Sequence, residues 1–188
     1  MKKWMICLFG CLLLVGCNET KEPLDNLHGS VQTYPNSFKT EADEFLYELQ
    51  VNKNSFSKEE KIDITASLTY IGNKDEIVIS HASSPFYFDI KETTRGYDIE
   101  YPMDQPLIST TLKNEEPLKI QYVPSGGYSD LDAEAYRSFI DEFLSEGYPV
   151  GNYVVHGYVQ FTVEGEQHET ELGGNIGFQV NWSIIYFV

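Results

Sequence analysis

Apolar and polar positions alternate through most of the chain from residue 45 onward. Phe45, Tyr47, Leu49 and Val51 share one face of a predicted strand, and Ile62, Ile64, Ala66, Leu68 and Tyr70 alternate with Asp63, Thr65, Ser67 and Thr69 in the next. Successive side chains of a strand point to opposite faces, so this period of two predicts sheets buried on one side. Gly72-Asn73-Lys74-Asp75 supplies a turn, after which Ile77 and Ile79 resume the pattern. Shorter strands are predicted over residues 86–90, 97–101, 107–112 and 118–123, with breaks at Gly96, Pro102, Pro106 and Pro117. Two longer strands, 151–163 and 168–180, follow, joined by Glu164-Gly165-Glu166 as a hairpin turn. Many short strands at this spacing predict a mainly β fold, an antiparallel sandwich.

One stretch has a different period. Tyr136, Phe139, Ile140, Phe143 and Leu144 recur at three- and four-residue spacing, which gathers them into a single stripe of an amphipathic helix inserted near residues 132–146. Ser129 and Asp132 have the spacing of a capping box at its start, and Gly147 provides its stop. Beyond residue 181, Trp182-Ser183-Ile184-Ile185-Tyr186-Phe187-Val188 is strongly apolar and too short to span a bilayer. It is expected to close the sheet as a covered last strand, with an aggregation-prone tail as the alternative.

The first residues are built differently. Met1-Lys2-Lys3 precedes an uncharged, mostly apolar run of 14 residues from Trp4 to Cys17, shorter than the roughly 20 needed for a helical span. A basic start, a short apolar run and small residues before a cut are the layout of a secretory signal. Leu14-Val15-Gly16-Cys17 resembles the lipobox of bacterial lipoproteins. The resemblance implies that residues 1–16 are a signal peptide and that Cys17, once diacylglycerylated and freed by cleavage, is the lipidated N-terminus. Two acyl chains bury enough methylenes, at about 0.8 kcal/mol each, to hold a protein stably on a membrane. Residues 17–44, polar and irregular around Pro23, Gly29 and Pro35, are then expected to be a tether. A flexible stretch of that length spans on the order of 25–30 Å. The sandwich domain is expected over 45–188, and the location at the extracytoplasmic face of the cell membrane.

Charge follows from the same cut. The whole chain carries 13 basic and 29 acidic residues, a formal charge of −16, and loss of Lys2 and Lys3 takes it to −18. Such a surface repels nucleic acid and anionic head groups, so no nucleic-acid partner is expected and the membrane is held through lipid on Cys17. Cys7 and Cys11 leave with the signal, which removes disulfide, thiol-nucleophile and thiolate-metal chemistry from the processed chain. The 172 residues that remain suit one domain, and a two-lobed solute-binding protein would need more. Thirteen tyrosines and eleven phenylalanines argue for a folded core despite the acidity.

The order of features also resembles a known family. Tyr70-Ile71-Gly72-Asn73-Lys74-Asp75-Glu76, Ser84-Pro85-Phe86-Tyr87-Phe88-Asp89-Ile90, Leu112-Lys113-Asn114-Glu115-Glu116-Pro117-Leu118 and Gly151-Asn152-Tyr153-Val154-Val155-His156-Gly157 are similar to the immunoglobulin-like domain of intracellular proteinase-inhibitor (BsuPI-type) proteins, over about residues 60–163. The resemblance implies an immunoglobulin-like β-sandwich. The chain departs from that pattern in having no tryptophan in its central region, in Asn114-Glu115-Glu116 where a glycine turn is usual, and in its helix.

Little of the remaining sequence reads as catalytic. His28, His81, His156 and His168 form no pair at metal-ligand spacing, and His156 falls on the solvent face of its strand. Asp130, Asp132 and Glu134 alternate as in a calcium loop, but the glycine and later glutamate of an EF-hand are missing, and acids at a helix start complement its dipole equally well. There is no Gly-x-Ser-x-Gly elbow, and Ser125-Gly126-Gly127 lacks the lysine of a phosphate loop. No catalytic residue, cofactor or metal is therefore expected. Tyr128 and Tyr148, on the loops either side of the helix, are candidate partner contacts; the alternative is that they pin the helix ends to the sandwich. The expected function is a non-catalytic binding module for a protein or envelope component, with an inhibitor-like module or a small hydrolase or metal-dependent enzyme as alternatives.

Overall fold

The computed structural model describes residues 34–183. Within them the chain forms β1 (Ser37–Ala42), β2 (Phe45–Val51), β3 (Ser55–Ser57), β4 (Ile64–Tyr70), β5 (Glu76–His81), β6 (Phe86–Glu92), β7 (Tyr97–Ile99), β8 (Ile108–Lys113), β9 (Leu118–Gln121), α1 (Glu134–Glu146), β10 (Gly151–Val163) and β11 (Glu169–Asn181). The strands make two sheets that pack as a β-sandwich carrying one helix. One sheet runs β1-β2-β4-β9, with every neighbouring pair antiparallel. The other runs β3-β11-β10-β5-β8, and β6, with β7 beside it, also pairs with β10.

Strand β10 explains this branching. It is 13 residues long, and two shorter strands share its flank. Its first part pairs with β6, from Tyr153 opposite Glu92 to Val159 opposite Phe86, and its end pairs with β5, Thr162 opposite Ser80. Between them the chain swings out at residues 82–85. Pro85 has no N–H to give the ladder, but its carbonyl accepts from the Gln160 amide at 2.8 Å. The inward face of β10 is Tyr153, Val155, Gly157, Val159, Phe161 and Val163, all buried, as the alternation predicts. Phe161 meets Phe45 of β2 edge-on at 4.8 Å, which ties the two sheets together. At Gly157 the sheets approach so closely that a Cβ would sit 2.8 Å from the methyls of Leu49 and 2.9 Å from the Tyr47 hydroxyl. Glycine stands there for space.

Two strands were not foreseen. Residues 37–42 fall inside the segment expected to be tether, yet Ser37–Ala42 pairs with β2 along its whole length through a tight turn at Asp43-Glu44, with Asp43 at φ 53°. Only Phe38 and Ala42 of β1 are apolar, beside the half-buried Thr40 and the exposed Ser37, Lys39 and Glu41, so the strand's alternation is too weak to read from composition. The folded domain thus begins before residue 45. Strand β3 is three residues long, lies parallel to β11 and buries only Phe56, too little to make a pattern. At the other end, β11 stops at Asn181 and Trp182 is 73% exposed outside any strand. Residues 184–188 of the apolar tail lie outside the described residues.

The helix closes one end of the sandwich. Phe139, Ile140 and Phe143 of the expected stripe are buried and Tyr136 half-buried, whereas Leu144 is 46% exposed and lies off the stripe. Phe139 packs on Tyr97 at 5.1 Å and Phe143 on Tyr148 at 5.1 Å. Burying each ring stabilises the fold by roughly 1.5–3 kcal/mol. The Ser129–Asp132 contact does form, the Asp132 carboxylate accepting from the Ser129 amide at 2.6 Å and its hydroxyl at 3.0 Å. It closes a turn ahead of the helix, however: the N-cap is Ala133, which has no side-chain acceptor. Gly147, at φ 88°, ends the helix as expected.

Beside the helix lies a buried carboxylate. Glu92, at the end of β6, is fully buried and accepts from the Thr94 amide at 2.7 Å, the Arg95 amide at 2.8 Å and the Arg95 guanidinium at 3.3 Å. Burial alone pushes its pKa up, but the hydrogen bonds from Thr94 and Arg95 outweigh this and hold it below the usual carboxylate range. Arg95 also donates to the Val150 carbonyl at 3.0 Å and lies over the Phe139 ring. This clasp joins the β6–β7 turn to the helix and to the start of β10.

Candidate functional site

A surface cleft of about 730 Å³ opens between β7 and the segment that leads into α1. The clasp at Glu92 fixes its β7 wall by holding the turn at residues 92–97. Tyr97, Asp98 and Glu100 come from that wall, Tyr128, Ser129 and Asp132 from the loop, and Tyr136 from the first turn of the helix. Tyr97 and Tyr136 meet nearly at right angles, 80°, with centroids 5.3 Å apart. The Tyr136 hydroxyl donates to the Asp98 carbonyl at 2.8 Å, which locks helix to strand across the cleft. Tyr128, 44% exposed, donates to the Asp141 carboxylate at 2.8 Å and is thereby held against the helix.

The cleft is lined by three carboxylates, Asp98, Glu100 and Asp132, and the nearby Arg137 charge opposes them at Tyr128 and Asp132. Burial raises the pKa of Tyr136, and the charges of Glu100, Asp132 and Asp98 raise it further. The Tyr128 phenol is raised first by its hydrogen bond to Asp141 and then by that carboxylate's charge. Asp132 is lowered by the amide and hydroxyl of Ser129. The Asp98 carboxylate is paired with Lys91 at 2.8 Å. Glu100 is exposed and has no hydrogen bond or ion pair among the described residues.

Only one of the two tyrosines expected to contact a partner is free to do so. Tyr128 lines the cleft. Tyr148 is 7% exposed and packs edge-on against Tyr153 at 5.2 Å and Phe178 at 5.1 Å, so it belongs to the core. Its hydroxyl has no hydrogen-bond partner, and burial raises its pKa well above the ordinary phenol value. Cys17 and His28 lie outside the described residues. Asp130, Asp132 and Glu134 do not converge, and among the described residues no three His, Cys, Asp or Glu side chains are grouped to hold a metal ion. His81 is buried between the Ala82 carbonyl at 2.7 Å and the Thr110 hydroxyl at 2.8 Å, and His156 is exposed beside Asn175 at 3.0 Å. His168 sits next to Glu166, 3.0 Å away.

Sequence reasoning missed Tyr97, Asp98, Glu100 and Tyr136 as site residues. Tyr97, Asp98 and Glu100 belong to a strand pattern and Tyr136 to a helix stripe far along the chain; the available signal is the run Tyr97-Asp98-Ile99-Glu100-Tyr101, with an acid beside each tyrosine. Other depressions lie on the described surface. One, about 720 Å³, lies over the small outward side chains of β4, Thr65, Ser67 and Thr69. Another, about 500 Å³, includes Ile90, Val154 and His156 and shares Asp98 and Glu100 with the cleft.

These features define a β-sandwich with a helix-flanked, tyrosine-lined cleft. No protein-family model matches the chain, and no curated protein matches it in sequence. Among the described residues no helix is long and apolar enough to cross a membrane.

Proposed function

We propose that the chain is a membrane-anchored surface lipoprotein, lipidated on Cys17, whose sandwich domain is a non-catalytic module that binds an envelope protein through the Tyr128 cleft. The observation that carries the binding reading is the cleft itself. Three tyrosines from three different segments are held on a rigid scaffold, two of them by hydrogen bonds across it. Tyrosine gives large contact area with few rotatable bonds, so such a surface binds at low ordering cost. The anchor rests on Leu14-Val15-Gly16-Cys17 and the basic, apolar start before it.

The partition of strands supports an immunoglobulin-like type: β2, β4 and β9 in one sheet face β5, β10 and β11 in the other, as in the A-B-E and C-F-G groups of that fold. Fold alone does not carry inhibition of a proteinase with it.

Two measurements test the proposal. Cys17→Ser is expected to abolish incorporation of labelled palmitate and to release the protein from salt-washed membranes, or leave it unprocessed. A salt-washed membrane fraction that keeps a signal-cleaved variant excludes the lipid anchor. A photocrosslinking residue at position 128, on intact cells, is expected to trap a discrete protein adduct that the same residue at Thr111 on β8 does not. Equal adducts from both positions, or none at 128, exclude the cleft as the contact.

A further inference from the structure

We infer that the chain pairs with a second copy of itself along β1, so that the four-stranded sheet of each copy continues into the other across a two-fold axis at Thr40. This contact is separate from the Cys17 anchor and from the cleft, and depends on neither. Among the described residues β1 is an edge strand, and its six residues follow β2 in unbroken register. The Val51 amide donates to the Asn36 carbonyl at 2.8 Å, which fixes the sense of the ladder. The even-numbered residues of β1 therefore turn their N–H and C=O groups toward β2, and Ser37, Lys39 and Glu41 turn theirs to the open side. Such a row of unpaired main-chain groups is a template for another strand.

Charge selects which strand and which register. Antiparallel pairing about Thr40 sets Lys39 opposite Glu41 of the second copy, and Glu41 opposite the second copy's Lys39. All four carry outward-turned main-chain groups, so each facing pair exchanges both of its N–H···O bonds. Lys39 already pairs with Glu48 of β2 at 3.4 Å, whereas Glu41 is exposed and has no ion pair among the described residues. The second copy supplies its counter-charge. A slip of two residues sets Lys39 on Lys39 in one direction and Glu41 on Glu41 in the other, and like charges directly opposite are destabilising. A slip of one residue exchanges the two faces of the strand. On the inward face the Thr40 register sets the half-buried Phe38 opposite Ala42.

The other edges of the described sheets lack this self-complementarity. Strands β3 and β7 have three residues each, β9 has four with Lys119 its one charge, and β8 carries no charge from Ile108 to Leu112. The contact is isologous and uses each β1 once, so it closes at two copies and does not propagate into a fibre.

The test is sedimentation equilibrium of the full chain in a density-matched detergent over a series of concentrations. A monomer–dimer equilibrium is expected, and Glu41→Lys should weaken it on the order of tenfold. Lys39→Glu should also weaken it. An equimolar mixture of these two variants should recover the dimer, because the copies then bring opposite charges to every facing position. Glu41→Pro removes an outward N–H and leaves the ladder with β2 intact; it should lose the dimer and keep its circular dichroism spectrum. A chain that stays monomeric throughout the series, or that assembles beyond two copies, overturns the pairing. So does a dimer indifferent to Glu41→Lys, or a mixture that associates no better than either variant alone. If Glu41→Pro does not fold, the mixture of charge variants decides the matter.

Discussion

The loops on either side of α1 are built from similar residues and come to opposite ends. Before the helix, Gly126-Gly127-Tyr128 places a tyrosine at the surface, with its hydroxyl on Asp141 and its ring on a cleft. After the helix, Gly147-Tyr148-Pro149 sends a tyrosine into the core between Phe143, Tyr153 and Phe178. Nothing local separates the two. The second loop is only four residues long and must bring the chain directly onto β10, so its tyrosine is drawn under the helix as the strand begins. The first loop, from residue 122 to 133, is not under that constraint. The short reach of the second loop accounts for Tyr148 packing in the core while Tyr128 stays at the surface.

The largest effect is expected on the buried side. Tyr148→Ala should cost about 3–5 kcal/mol in urea denaturation through the cavity it leaves. Tyr148→Phe should be neutral or stabilise by up to about 1 kcal/mol, because the hydroxyl it removes has no partner. A stability loss in Tyr148→Phe matching that of the alanine variant would mean that the hydroxyl, not the ring, holds the loop.

Next comes the clasp at Glu92, which holds the second loop through Arg95 and the Val150 carbonyl. Glu92→Gln should cost about 1–3 kcal/mol at pH 7, since an amide cannot accept from every donor the carboxylate serves. The folded pKa of Glu92 lies below its ordinary value of 4.5. Its stabilisation is therefore fully present above about pH 4.5 and is lost as pH falls through the folded value. Denaturation curves of the two proteins should converge on acidification; a constant gap down to pH 2 would show that the charge contributes nothing.

The smallest effects belong to the exposed side. Tyr128→Phe and Asp132→Ala should each change stability by no more than about 0.5 kcal/mol, the ordinary range for surface substitutions. A true N-cap would cost about 1 kcal/mol, so a loss of that size in Asp132→Ala would place the helix start one residue earlier than the Ala133 cap. Tyr128→Phe should leave helix content by circular dichroism unchanged, and a fall would show that the Asp141 contact orders the helix.

Much of the scaffold was legible in advance. The inward faces of β2, β4 and β10 and the buried stripe at Phe139, Ile140 and Phe143 follow from period alone, whereas the burial of the polar Ser67 and Thr69 on the other face of β4 does not. Strands β1 and β3 were not legible, since an edge strand and a three-residue strand bury too few apolar groups to leave a pattern. The cleft was less legible still. Tyr128 was singled out, but Tyr97 and Tyr136 looked like ordinary members of a strand and a helix.

By itself, the sequence determined which residues are apolar on which face, where glycine and proline break the strands, and that the chain is strongly acidic. It also set the lipobox-like motif at Cys17 apart from the domain that follows. Only the tertiary structure decided which strands share a sheet, that Leu144 and Asp132 lie away from the roles their spacing suggested, and that one flanking tyrosine is core and the other surface. The reason is range. Periodicity records the local direction of a side chain, whereas burial and site formation depend on partners tens of residues away, brought close by the registry of β10 with its neighbours.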